Sequence, residues 1–143
     1  MRILVAFDGT DGAREALAVA DEIAAPSEGE LVVCWVLNPR VDAADVVAAT
    51  TAEAMVQVVA EAQSSIEDAL TDLEAGAVIR VESVERGEDV AEHLARVAAD
   101  EEATLLAIAS RRASGLRGLM GSVAQEVLRL SPCPVVVVRP AER

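Results

Sequence analysis

The chain has 143 residues, 52% of them apolar and 26% charged, with 25 acidic residues against 12 basic ones and a formal net charge of -13. One domain of this length, residues 1–143, can bury a core without disulfides or metal, and segregated runs of Ala, Val, Leu and Ile exclude disorder. Every basic residue is arginine, which excludes a lysine-dependent phosphate loop and a Schiff-base enzyme, while the acidity argues against free DNA or RNA as a partner.

The first predicted strand is Arg2 to Phe7, an apolar run that meets the breaker Asp8-Gly9. That run is too short for a signal segment or a membrane span, which points to a cytoplasmic protein. A helix follows, with Ala13, Ala16, Leu17, Ala20, Ile23 and Ala24 at helical spacing and Thr10 or Asp11 placed to cap it. Leu31 to Leu37 is a second continuous apolar strand, of the kind buried on both faces of a parallel sheet. Residues 41–75 contain a long helix whose stripe is Met55, Val58, Val59, Ala62, Ile66, Ala69, Leu70 and Leu73; residues 41–50 are undecided between turn and loop. Val78 to Val84 is a third strand. Gly87 breaks the chain, and Glu88-Asp89 opens a helix with Val90, Leu94, Val97 and Ala98 inward. Thr104 to Ala109 is the fourth strand. A loop rich in Arg and Gly leads to a helix opened by Gly121-Ser122 and stopped by the Ser131-Pro132-Cys133-Pro134 turn. Val135 to Val138 is the last strand. Such alternation predicts one α/β domain: a doubly wound five-stranded parallel sheet with helices on both faces.

Ligands of such sheets bind beyond the carboxyl ends of the strands, where the strand order reverses. Candidate site residues therefore follow strands one, two and four. Asp8 could accept hydrogen bonds from a ribose or adenine group, could hold a hydrated metal through phosphate, or could serve only the turn by bonding its own backbone. Arg111, Arg112 and Arg117 crowd into the loop before Gly121-Ser122. That helix start reads either as a phosphate cradle of open backbone N–H groups or as a surface loop with a structural cap, Ser122 and Gln125 having capping-box spacing. Trp35 reads as core rather than as a stacking platform, and Phe7 also reads as core. His93 lacks a Ser, Cys or metal partner in pattern and reads as a surface or boundary residue. Cys34 and Cys133 read as reduced core-side thiols. The acidic helix faces read as solvated surface.

Three stretches carry a family resemblance: ILVAFDGTDGAREAL, RGEDVAEHLARVAADEEATLLAIASR and GLRGLMGSVAQEVLRLSPCPVVVVRP. Together they resemble the universal stress proteins over nearly the whole chain, residues 39–75 excepted. The resemblance implies strand order 3-2-1-4-5, of the adenine-nucleotide α-hydrolase-like type. It also implies a homodimer paired through Val135, Val136, Val137 and Val138, and non-catalytic binding of ATP, with Mg²⁺ bridging its phosphates. Adenine would then lie near Ala6, Phe7, Asp8 and Val36. The phosphates would lie over Gly121, Ser122 and Val123, with charge from Arg111 and Arg112. The family pattern of Gly, two residues, Gly, nine residues, Gly-Ser is matched only at its end. Ala109 and Arg112 stand at the earlier glycines, and the interval to Gly121 is one residue short. A nucleotide-free interaction scaffold is thus the alternative, because each added Cβ occupies space the phosphates need.

Carboxylates are strongly hydrated, and arginine pairs bidentately with them. The acidic, lysine-free composition accordingly fits a salt-rich cytoplasm, or alternatively a GC-rich genome. If the cause is salt, thermal or urea stability rises between dilute buffer and molar KCl as self-repulsion is screened; equal stability in the two buffers overturns the salt-adapted reading.

Overall fold

A computed structural model describes residues 1–38, 52–110 and 120–140. The elements run β1 (Arg2–Ala6), α1 (Asp11–Ala24), a 3₁₀ turn (Ala25–Ser27), β2 (Glu30–Leu37), α2 (Ala52–Leu70), β3 (Gly76–Ser83), α3 (Val90–Asp100), β4 (Leu105–Ala109), α4 (Ser122–Leu130) and β5 (Val135–Val138). The sheet has five strands in the order β3-β2-β1-β4-β5, and every pairing is parallel. Predicted and observed strands agree within two residues at either end. The largest difference is at β3, which starts at Gly76 because its edge position is polar and half-exposed rather than a clean apolar run.

Continuous apolar runs form strands here because both faces of the sheet are covered. Along β1, Ile3 and Val5 face α1 and α2, in a core with Leu17, Leu31, Val33 and Ile66. Leu4 faces the other way, toward α3 and α4, among Val32, Leu94, Val97, Leu106 and Val127. Side chains alternate across a strand, so two-sided burial makes every position apolar. Each fully buried Leu, Ile or Val contributes about 1.5–3 kcal/mol. Helices α1 and α2 cross over one face while α3 and α4 cross the other, so the winding reverses between β1 and β4. That reversal leaves a crevice beyond the carboxyl ends of those two strands.

Polar groups fix the joints. Thr10 caps α1, its hydroxyl accepting from the Ala13 amide at 3.2 Å. Asp89 caps α3 in a reciprocal box with Glu92: the Glu92 amide donates to Asp89 at 2.8 Å and the Asp89 amide to Glu92 at 3.2 Å. The two outer strands differ. β5 is four half-buried valines hydrogen-bonded to β4 alone among the described strands; β3 carries Arg80 and Glu82, which pair with each other at 2.6 Å.

The expectation that acidic helix positions are solvated fails at Asp21. This α1 carboxylate is buried and accepts from the amides of Ala75 at 2.7 Å and Glu74 at 3.1 Å, which pins the entry to β3 against α1. Two amides that face a helix rather than a strand need an acceptor, and a short carboxylate supplies it. Asp21→Ala leaves both without that partner and is expected to lower stability by about 1–3 kcal/mol, read as a drop in the urea midpoint at unchanged slope.

Candidate functional site

The crevice at the reversal point is a cavity of about 690 Å³, within the ordinary size of small-molecule sites. The end of β1 contributes Ala6, Phe7 and Asp8, the end of β2 contributes Val36, and β4 contributes Ile108 and Ala109; α3 adds Val90 and Leu94, and α4 adds Ser122 and Val123. Among the described residues that line it, Asp8 is the one charged side chain. The wall is therefore mostly apolar, with a carboxylate on one rim and a helix start on another.

Asp8 is oriented by its own turn. Its Oδ1 accepts from the Thr10 amide at 3.1 Å and from the Thr10 hydroxyl at 2.6 Å. Turn-forming and cavity-lining roles, alternatives in the sequence, are here compatible. Gly9 takes φ of 81°, the left-handed conformation that lets the chain reverse between β1 and α1.

The start of α4 differs from the predicted capping box. Gly121, not Ser122, is the N-cap, and no side chain caps the helix. Ser122 is the first helical residue, so its hydroxyl is one position too late to serve. Gln125 instead donates to the Met120 carbonyl at 2.9 Å. First-turn amides without a side-chain cap keep their affinity for an anion. Gly121 is not itself part of the cavity wall, whereas Ser122 and Val123 are. Arg111, Arg112 and Arg117 lie outside the described residues. Of the predicted site residues, the fold thus brings Ala6, Phe7, Asp8, Val36, Ala109, Ser122 and Val123 to one cavity. It adds Val90 and Leu94, which periodicity identifies as inward-facing without assigning them to a site wall, and Trp35, which the sequence reads as core but which is half-buried and lines the cavity.

His93 also departs from the sequence reading. It is buried, 3% exposed, with Nε2 2.7 Å from Glu82 and Nδ1 2.5 Å from Glu88, while Arg96 lies 3.0 Å from Nδ1. Its partners lie five and eleven residues away in sequence, on the loop and strand that precede the helix, so helix periodicity alone did not reveal them. At Glu82 burial opposes ionisation, yet hydrogen bonds from Arg80 and His93 outweigh it and hold the carboxyl below its usual range. Cys34 lies on the cavity wall; burial, reinforced by Glu82, pushes its thiol up to about 12, which keeps it protonated and unreactive. Cys133 is half-buried and also unpaired with sulfur.

Among the described residues no cluster of His, Cys, Asp and Glu could hold a metal ion, and no helix is long and apolar enough to cross a membrane.

A parallel sheet of this order, with an apolar, carboxylate-rimmed crevice at its reversal point, defines a doubly wound α/β protein. The model of the universal stress protein family matches residues 1–139, and the chain belongs to that family. It is similar to the universal stress protein YxiE of Bacillus subtilis (strain 168), 29% identical over 153 residues that cover 96% of this chain and 98% of that protein. Among solved structures, one from the universal stress protein family of Burkholderia pseudomallei is 33% identical, with a TM-score of 0.60 over 98% of this chain and 96% of that one. The universal stress protein of Archaeoglobus fulgidus in complex with dAMP shares the fold at 22% identity, with a TM-score of 0.65 over 96% of this chain and 97% of that one.

The polar cluster beside the cavity sets an acid response. The Arg96 guanidinium, foremost, with the Glu85 amide and His93, holds the Glu88 carboxyl down at about 2. A carboxylate depressed in the folded state stabilises it above the unfolded pKa, and that contribution is lost as pH falls through the folded value. Stability is therefore expected to decline between about pH 4.5 and pH 2, and Glu88→Gln to flatten that decline, as measured by urea midpoints across the range.

Proposed function

We propose that this chain is a cytoplasmic, single-domain, non-catalytic module that binds an adenine nucleotide, ATP with Mg²⁺ in its fullest form, and reports occupancy to a partner through the conformation of its cavity rim. One observation carries the reading: a cavity of about 690 Å³ joins an apolar wall, a carboxylate and a helix start without a side-chain cap. An adenine ring suits the wall of Val36, Val90, Leu94 and Ile108, where burial of its faces is favourable. Asp8 can accept from a ribose hydroxyl. Phosphate oxygens suit the amides of Ser122 and Val123, with Arg111 and Arg112 supplying positive charge. Mg²⁺, held through the phosphates, would neutralise part of their charge. The dAMP named with the Archaeoglobus relative supports adenine as the base. A binding module of this kind acts by favouring one conformation over another. The half-buried β5 edge, Val135 to Val138, supports a homodimer joined there.

The nucleotide-free scaffold remains the second reading. Ala109 favours it: this residue stands where the family pattern has glycine, it lines the cavity, and its Cβ lies 3.3 Å from where a Cβ on Gly12 would lie.

Calorimetric titration with AMP and with Mg²⁺-ATP decides between them. Saturable binding with a dissociation constant below about 1 mM is expected; no heat at that concentration overturns the nucleotide reading. Gly121 has φ of -64° and ψ of 159°, open to any residue, so Gly121→Val is expected to fold normally. Its β-branched side chain crowds the phosphate end and should weaken ATP about tenfold or more. Unchanged affinity in that variant removes the cradle.

A further inference from the structure

The turn that carries Asp8 rests on one side chain that the family reading does not use. Trp35, the protein's only tryptophan, lies on β2 between β1 and β3, and it touches both sequence neighbours of Asp8. On one side its ring meets Phe7 edge-on, with centroids 5.8 Å apart and planes at 67°. On the other side, a Cβ placed on Gly9 would lie 2.8 Å from the indole Cη2 and 3.4 Å from Cζ3. The α-carbon of Gly9 therefore sits directly on the edge of the indole. The third contact of that imaginary Cβ is the Ser65 hydroxyl at 3.7 Å. Phe7 is itself held, being 3% exposed, with the Arg14 guanidinium 5.9 Å from its ring centre. Arg14 reaches on to Ser65 at 3.4 Å. The chain from α2 through Arg14, Phe7 and Trp35 to Gly9 is thus continuous.

We propose that Trp35 is a positioning residue for ligand recognition: wedged against both neighbours of Asp8, its indole fixes that carboxylate where a ribose hydroxyl reaches it, and so sets a preference for ribose-bearing ligands. This rests on the nucleotide reading above and deepens it. A rigid aromatic ring has two side-chain torsions and is packed in a central strand, so it moves little. The Thr10 amide and hydroxyl tie the Asp8 carboxylate to this turn, so a shift of the turn shifts the carboxylate. Trp35 also lines the cavity beside Val36, but what it does through the Asp8 turn acts on the ribose end of a ligand.

Trp35→Leu and Trp35→Phe test it, each titrated with AMP and with 2′,3′-dideoxyadenosine monophosphate, which lacks both hydroxyls. Trp35→Leu is expected to weaken AMP about tenfold, the scale of one hydrogen bond to a charged group, and to leave the dideoxy ligand within about twofold. Trp35→Phe, which keeps an aromatic edge against Phe7, is expected to recover part of the AMP affinity. Equal loss for the two ligands means a merely structural role and overturns the proposal. A ligand-free measurement separates this outcome from failure of the nucleotide reading. The Thr10 amide, which donates to Asp8 at 3.1 Å, is expected to exchange its hydrogen about tenfold faster in Trp35→Leu while β1 amides are unchanged. Unaltered exchange at Thr10 overturns the proposal whether or not the wild-type protein binds nucleotide.

Discussion

Burial of β1 on every side is the constraint from which the remaining structure follows. Its backbone pairs with β2 along one edge and β4 along the other, and Ile3, Leu4 and Val5 are completely buried, with alternate residues entering opposite cores. A strand so enclosed can only be the middle of a parallel sheet. Its crossovers must leave by both faces, because right-handed connections to the left and to the right fall on opposite sides. The cavity is a by-product of that geometry. Two helices depart in opposite directions from adjacent strand ends, and the space between them is left for something other than the chain.

Around that frame, charge is used in two different ways. Much of the acidity is spread over exposed positions and keeps the surface hydrated. A smaller part is gathered into a connected ion network on the α3 side of β3. Arg80 joins Glu82 to Glu101, Arg2 joins Glu101 to Glu30, and His93 with Arg96 joins Glu82 to Glu88. Networks of this kind couple their members, so the loss of one residue is felt by several. With no lysine in the chain, the cationic joints are guanidinium groups. A planar fork can hold two carboxylates in fixed directions where an ammonium cannot.

The fold was legible because period-two alternation with both faces buried collapses into plain apolar runs, and Ile3–Phe7, Leu31–Leu37 and Leu105–Ala109 show such runs unambiguously. Strand ends then indicated the site: Ala6, Asp8, Val36 and Ala109 line the cavity because each ends or follows a strand at the reversal point. Less legible were features made by residues distant in sequence. The partners of His93 come from another strand and a loop. Asp21 answers amides more than fifty positions away. The cap of α4 lies one residue before Ser122, since a glycine N-cap leaves no side-chain signature and the neighbouring Ser-x-x-Gln spacing imitates one. The role of Trp35 under the Asp8 turn depends on which way an indole points, which a strand pattern does not encode.

The two outer strands have unlike characters, and this limits how copies of the molecule can stick together. Among the described strands β5 has one neighbour and carries four half-buried valines, an apolar border, whereas the Arg80–Glu82 pair makes β3 a guarded one. If two copies join border to border about a two-fold axis, both apolar margins are consumed, and only guarded ones face outward. Growth then stops at a pair, and the sheet does not extend into an endless ribbon. An acidic protein crowded among its own kind would thereby stay dispersed without needing any cap on its far side.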